Sequence, residues 1–339
     1  MNDKKKCLIT GINGQLGQQL SIYLSENHKN VEIVGTVRHK SKDTYDNNLG
    51  LEIETMDLSD SYSVESVIKK HKPDYVINTA ANAFVGESWK LPVQHFSINA
   101  VGVLHLLEAI KNNSPDTRFY NCGTSEEFGD VDYSPQDERH PLKPRSPYGA
   151  AKCAARHLVK VYRESYNMFA IQGWMFNFES PFRGEKYVTR KVTKGVARIK
   201  KSFDNSLPFE PIQIGNLNAK RPWQHAKDVC RAIWLMLNNS APNEYVVSSN
   251  HIYSVRQFIE KAFAFAGFLN LKWFGSGLDE KLTSDNIVLV EINKDFFRPA
   301  EVELLLGDSK LIEKDLGWKP KISFDCIVKE MVEYDISKL

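Results

Sequence analysis

The sequence predicts an α/β chain, a doubly wound parallel sheet with a smaller α+β lobe after it. Three observations carry that expectation. Over roughly the first 180 residues, short β-branched runs alternate with longer helical patterns, as βαβ units do when their sheet is buried on both faces. A glycine loop stands where the first strand passes into the first helix. Beyond about Ser180 the alternation gives way to Pro, Gly and mixed loops between shorter helices.

Taken in order, the expected strands are Lys6 to Thr10, Val31 to Val37, Leu51 to Thr55, Tyr75 to Asn78, Arg118 to Cys122 and Ala170 to Phe176. The helices between them fall near Gln15 to Ser25, Ser63 to Lys70, His95 to Lys111 and Tyr148 to Tyr166. The third shows its period in Val101, Leu104, Leu107 and Ile110. Later helices are expected at Val229 to Asn238, Ser254 to Ala266 and Phe324 to Asp335. At about 150 residues per domain, a chain of 339 makes two compact units. The expected division is a dinucleotide domain over 1–180, with segments around 210–235 and 285–300 returning to it, and a substrate lobe over 181–339.

With 44 Lys and Arg against 42 Asp and Glu, the formal charge is +2, too small for bulk attraction to nucleic acid or an anionic membrane. Affinity for a phosphate must then come from individually placed cations. No segment approaches the roughly 20 apolar residues of a membrane helix, and Met1 to Lys6 leads into a strand rather than a signal-peptide core. The five cysteines, Cys7, Cys122, Cys153, Cys230 and Cys326, are scattered without metal-ligand or redox spacing. They read as reduced residues of a cytoplasmic protein with no metal site.

The loop Gly11-Ile12-Asn13-Gly14-Gln15-Leu16-Gly17 follows the strand Leu8-Ile9-Thr10. Glycines there permit positive φ and close approach of a ligand to the backbone. The helix that follows offers N–H groups and a positive dipole end to a pyrophosphate, as in a Rossmann-type fold. The second strand ends in Val37-Arg38-His39-Lys40 without the acidic residue an NAD site places on the ribose. Arg38 suits a 2′-phosphate, so NADP is the expected cofactor; Arg38 and Lys40 as a solvated basic loop is the alternative. Asp57 either accepts from the adenine amino group or caps a helix. Leu58 beside it, Ala80 after the fourth strand, and Tyr148 and Lys152 further on complete the expected cofactor contacts.

Tyr148 and Lys152 lie four apart at a helix start, hence on one face. An ammonium near a phenol favours the phenolate, which a general base for an alcohol needs. This pair and the glycine loop resemble the extended short-chain dehydrogenase/reductase superfamily, in which a Ser or Thr upstream holds the substrate hydroxyl; Thr124 occupies that place. Around it, Thr124-Ser125-Glu126 resembles the active site of the GDP-mannose 4,6-dehydratases. Further similarity lies in Pro144-Arg145-Ser146-Pro147-Tyr148, Phe176 to Pro181, Val188-Thr189-Arg190-Lys191, Gly215 to Arg221, His225 to Asp228 and Phe297 to Val302.

The resemblance implies a GDP-sugar substrate, NADP, and a homodimer or homotetramer. It implies that Tyr148, with Lys152 and Thr124, takes the hydroxyl proton at carbon 4, that Glu126 serves the elimination across carbons 5 and 6, and that Ser125 assists near the leaving hydroxyl. Positions 124 and 126 would share one face if the strand continued through them. By itself Glu126 also reads as a strand-end carboxylate, in water or capping a helix. Asn177, Val188, Lys191, Arg221 and Arg298 would line the nucleotide, with Glu301 accepting from guanine. The chain departs from the family pattern at Gln15-Leu16-Gly17, Ala83-Phe84, Phe182 and Pro222-Trp223-Gln224. The Ala83-Phe84 change replaces Ser-His near the expected sugar pocket, which opens GDP-mannoheptose as an alternative substrate. A 4-keto sugar reductase or epimerase, and a non-catalytic cofactor-binding regulator, are the other readings.

Overall fold

The computed structural model describes residues 4–39, 49–296 and 305–339. Seven parallel strands form the main sheet. Six come in succession: β1 (Lys5–Thr10), β2 (Val31–Val37), β3 (Glu52–Thr55), β4 (Tyr75–Asn78), β5 (Arg118–Cys122) and β6 (Ala170–Met175). Val246–Val247 adds a short strand beside β6, and the spatial order runs from that strand through β6, β5, β4, β1 and β2 to β3. The order reverses between β1 and β4, which both pair with each other in parallel, so the crevice at their carboxyl ends is the topological switch point where such sheets bind ligands.

The helices of this sheet are α1 (Gln15–Asn27), α2 (Ser61–His71), the short α3 (Val85–Ser88) and α4 (Pro92–Phe96), α5 (Gly102–Asn113) and α6 (Pro147–Tyr166). Leu8, Val34, Val76 and Phe119 from the strands pack with Val64, Ile68, Leu106, Ile110 and Val159 from the helices, all essentially removed from water. The expected single helix His95 to Lys111 is corrected: α4 and α5 are separated by a π-turn at Ser97–Val101. There the Asn99 side chain accepts from the Asn82 amide and donates to the Asn82 carbonyl, both at 2.9 Å, and the widened turn sets it on that distant backbone.

The chain clusters into two compact units, the first comprising Met1–Phe176, Ala226–Ser248 and Gly307–Lys319. Its two late segments are tied to each other by the buried Trp318, whose indole donates to the Asp228 carbonyl at 2.9 Å, and by Tyr245, whose hydroxyl donates to Asp315 at 3.2 Å. Arg118 of β5 ties them to the sheet, donating to the Leu237 and Asn239 carbonyls at 2.7 and 2.8 Å. The second unit comprises Asn177–His225, Ser249–Leu306 and Pro320–Leu339. It carries α7 (Val188–Asp204) and a four-stranded sheet of Leu271–Phe274, Lys281–Ser284, Ile287–Ile292 and Ile212–Ile214. The strand Ile287–Ile292 thus lies in the second unit, and Ala226–Ser248 and Gly307–Lys319 are the later segments that join the first. Val196, Ile199, Phe258, Phe263 and Met331 fill the second unit's own core.

Candidate active site

The glycine loop forms a turn in which the Gly14 amide donates to the Gly11 carbonyl at 2.9 Å. Gly11 has φ +63°, and a Cβ there would stand 2.8 Å from the Cα of Ala80. A Cβ on Gly17 would stand 2.5 Å from the Gly11 carbonyl oxygen. The loop therefore closes onto α1 and β4 only with hydrogen in those places. Gly14 is the N-cap of α1 and supplies no side-chain cap, and no acidic residue occupies the first turn, so the helix start is suited to an anion. Leu16 packs into the core, while the Asn13 carbonyl accepts from the Gln18 side chain at 2.8 Å. Gln15 stands at the first position of α1.

Arg38 follows β2 directly and is exposed; Lys40 lies outside the described residues. Asp57 does not cap α2: Asp60 does, accepting from the Tyr62 amide at 3.0 Å. Asp57 instead accepts from the amide and hydroxyl of Ser59 at 2.9 and 2.8 Å. Burial pushes its carboxyl up, but the Ser59 bonds and the charges of Arg38 and His39 outweigh that and hold it below its ordinary value. Leu58 is buried, its carbonyl facing the His105 imidazole at 2.8 Å. Ala80 donates its amide to the Thr10 hydroxyl at 3.1 Å.

The strand argument for Thr124 and Glu126 is corrected. β5 ends at Cys122, and Ser125–Glu127 forms a 3-10 turn capped by Thr124, whose Oγ1 accepts from the Glu126 amide at 3.2 Å. The two residues are brought together by this capping, not by strand alternation. Ser125 is buried, and Thr124 and Glu126 are half-buried. Helix α6 starts with Ser146 as cap, its hydroxyl accepting from the Gly149 amide at 3.0 Å, and Pro147 in the first turn. A Cβ on Gly149 would lie 2.7 Å from the Glu126 carbonyl oxygen, so this helix start presses directly on the 3-10 turn. Tyr148 and Lys152 follow on the buried face. The Lys152 ammonium donates to the Cys122 carbonyl at 2.8 Å, and burial pulls its pKa below the ordinary lysine value. Thr124, Glu126, Tyr148 and Lys152 thus converge where β5 and the N-terminus of α6 meet.

Three buried residues here escaped the sequence reading. Glu127 pairs with Arg156 at 2.5 Å, and Gln172 donates to Glu127 at 3.1 Å. Arg156 continues the face of Tyr148 and Lys152 by one more turn, and a charged residue at that core-facing period was the available signal. His95 also faces the site, its ring edge-on to Tyr148 with centroids 6.5 Å apart; burial lowers its pKa.

The remaining substrate candidates lie in the second unit. Asn177 accepts through its carbonyl from the Gln224 amide at 3.1 Å. Val188 opens α7, and one turn on, the Lys191 ammonium sits 3.2 Å from the centre of the Phe296 ring, its pKa lowered by burial. Arg221 occupies the strand Lys220–Arg221, opposite Tyr253. Arg298 and Glu301 lie outside the described residues. Among the described residues, the one group of potential metal donors is Glu52, Glu54 and His71. The Lys70 ammonium already sits there, 3.5 Å from Glu52 and hydrogen-bonded to Glu54.

The profile of the family described as GDP-mannose 4,6 dehydratase matches residues 8–331. The GDP-mannose 4,6-dehydratase of Vibrio cholerae is 38% identical, the match covering 99% of this chain and 95% of that protein. The Homo sapiens GDP-mannose 4,6 dehydratase is 39% identical, over 97% and 91%. The fold is shared with the solved structure of RMD from Pseudomonas aeruginosa complexed with NADPH, at a TM-score of 0.79, 22% identity and 99% coverage of both chains.

Proposed function

The chain belongs to the GDP-mannose 4,6-dehydratase family, and from that premise we propose that it removes water from GDP-mannose, with NADP as cofactor, to give the GDP-linked 4-keto-6-deoxy sugar. The observation that carries this reading is the convergence of Thr124, Glu126, Tyr148 and Lys152 on one end of the sheet, beside a glycine cradle that a Cβ at Gly11 or Gly17 would fill.

The fit to a dinucleotide rests on that cradle and on the uncapped start of α1. Gly11, Asn13, Gly14, Gln15, Leu16 and Gly17 would hold the pyrophosphate, Arg38 the 2′-phosphate, and Asp57 and Leu58 the adenine side. When bound, the nicotinamide supplies the acceptor for the carbon 4 hydrogen and returns it to carbon 6.

The protein's part is proton traffic and positioning. The proton on carbon 5 of a hexose is not acidic until carbon 4 is a ketone. Tyr148 takes the hydroxyl proton of carbon 4, with Thr124 holding that hydroxyl and the Lys152 ammonium favouring the phenolate. Glu126 then removes the carbon 5 proton and delivers it to the departing carbon 6 hydroxyl, with Ser125 beside it. When hydrogen returns to carbon 6, carbon 5 regains a proton, which balances the one Tyr148 took from the carbon 4 hydroxyl. A second carboxylate would not serve this step: Glu127 is spent in its ion pair with Arg156. Asn177, Val188, Lys191 and Arg221 are assigned to the nucleotide, with Arg298 and Glu301.

One departure favours a second reading. Phe84 caps α3 and lays its ring over Gly86, whose Cβ would be 3.3 Å from it, where the family carries His. An apolar side chain there takes away a hydroxyl partner for the sugar, which leaves a GDP-sugar with an altered carbon 6 end, such as GDP-mannoheptose, as the second reading. Incubating the purified protein with GDP-mannose and GDP-mannoheptose in parallel, followed by mass analysis for loss of water, tests both. Loss of water from GDP-mannose supports the first reading; loss from the heptose alone replaces it with the second. Loss from neither sinks the dehydratase assignment.

A further inference from the structure

A row of polar side chains crosses four neighbouring strands of the parallel sheet, at the carboxyl ends of β1 and β4 and close to that of β5, buried where such sheets are ordinarily apolar. Thr10 pairs in register with Asn78, Asn78 with Asn121, and Asn121 with Gln172. All four lie on one face and are no more than 2% exposed. They are joined end to end: Thr10 Oγ1 donates to Asn78 Oδ1 at 2.5 Å, Asn78 Nδ2 to Asn121 Oδ1 at 2.6 Å, and Asn121 Nδ2 to Gln172 Oε1 at 2.6 Å.

The direction of every bond in this row follows from its last member. The Gln172 amide end lies between two groups that only accept, the Lys152 carbonyl at 3.0 Å and the Glu127 carboxylate at 3.1 Å, so that end must be NH2. Its oxygen then accepts from Asn121, whose oxygen accepts from Asn78, whose oxygen accepts from Thr10. The Thr10 oxygen is left to accept the Ala80 amide at 3.1 Å. The Lys152 carbonyl and a fully buried carboxylate thus together set the polarity of a chain of bonds spanning four strands. The same carboxylate accepts the Thr124 amide at 2.8 Å. It is held by Arg156, which also donates to the Gln172 carbonyl at 2.6 Å and to Glu244 at 2.8 Å.

We propose that Glu127 is a positioning residue that, through this polar row, keeps Ala80 on the cofactor side in register with Thr124 and Lys152 on the reacting side. The inference rests on the reading above only in giving those three residues their roles. Replacing Glu127 by Gln sets an amide against either the Arg156 guanidinium or the Gln172 amide. In the second arrangement Gln172 either keeps two NH2 groups opposed or turns its oxygen onto the Lys152 carbonyl, and the row loses its anchored end. Replacing Thr10 by Val cuts the row at its other end, two strands away from β5.

A double-mutant cycle tests the row as a unit. Glu127→Gln and Thr10→Val are made singly and together, with folding followed by calorimetric melting. Misplacement of reacting groups by about an ångström costs up to roughly a hundredfold in rate, so each single variant should lose about ten- to a hundredfold in kcat. The KM for GDP-mannose should move by less than about threefold, and the double variant should fall within about threefold of the worse single one. Losses that multiply in the double variant, or a folded Glu127→Gln with kcat within about twofold of the parent, overturn the proposal. Should Glu127→Gln fail to fold, Gln172→Met takes its place in the cycle, read against the same limits. If the parent protein turns over neither GDP-sugar, the dehydratase reading fails separately. The cycle is then read in the NADP dissociation constant: each single variant should weaken binding and the pair should be non-additive, whereas unchanged or multiplying constants sink the positioning role.

Discussion

Lys152 carries its charge inside the protein, and burial pulls its pKa below the ordinary lysine value of 10.5. As pH rises through that lowered pKa the ammonium is lost, and with it the support for the Tyr148 phenolate. The alkaline limb of a kcat profile should therefore fall below pH 10.5. Between the folded and unfolded values the unfolded chain binds the extra proton, so this residue makes stability rise with pH across that window. Lys152→Met should flatten that rise in calorimetric melts while ending turnover. Tyr148→Phe should cut product formation by about 10² to 10⁴ with NADP still copurifying; turnover near the parent rate would remove Tyr148 from the base role. Glu126→Gln should separate the steps, allowing oxidation at carbon 4, seen as NADPH fluorescence, without release of water. Arg38→Ser should weaken NADP by roughly ten- to a hundredfold, the worth of a charged hydrogen bond. NAD binding, measured alongside by calorimetric titration, should be little changed.

At the scale of elements, the close approaches in the cradle are the sharpest constraint. Gly17→Ala places a methyl group 2.5 Å from the Gly11 carbonyl oxygen and 2.7 Å from the Ile12 Cα, both backbone atoms that cannot swing aside. The expected cost is about 1–3 kcal/mol of stability, with loss of copurifying cofactor; a stable, cofactor-loaded variant would show the loop is looser than its geometry. The leading strands were legible chiefly through short buried apolar runs such as Cys7-Leu8-Ile9, Ile33-Val34 and Tyr75-Val76-Ile77, which a parallel sheet covered on both faces requires. Legibility stopped where a partner lay far along the chain. The break before α5 depends on Asn99 meeting the backbone of Asn82, seventeen residues away, which no local period encodes. Thr124 and Glu126 were picked out by motif, yet the strand argument for their proximity failed because a capping Thr and Glu127 together start a 3-10 turn. Glu127 and Arg156 were passed over because a charge pair buried in a core looks, in sequence, like two solvated charges.

For the whole molecule, the small net charge of +2 conceals a few placed cations, Arg38 in the first unit and Lys191 and Arg221 in the second. Free NADP at about 100 times its Kd should raise the stability of the unit that binds it by about 2.7 kcal/mol, read as an upward shift in its melting transition. A melt that NADP leaves unmoved would remove the cradle from cofactor binding. The path of the chain bears on how that unit comes into being. Its sheet lacks Val246–Val247 until the chain has passed once through the second unit, and its helices lack the Trp318 anchor until it has passed a second time. At ribosomal speeds of about 5–20 residues per second, the interval from Phe176 to Val246 lasts on the order of several seconds. During that time the nascent sheet stands with the β6 edge open, a stretch in which chaperone capture or pairing with a neighbouring chain competes with completion.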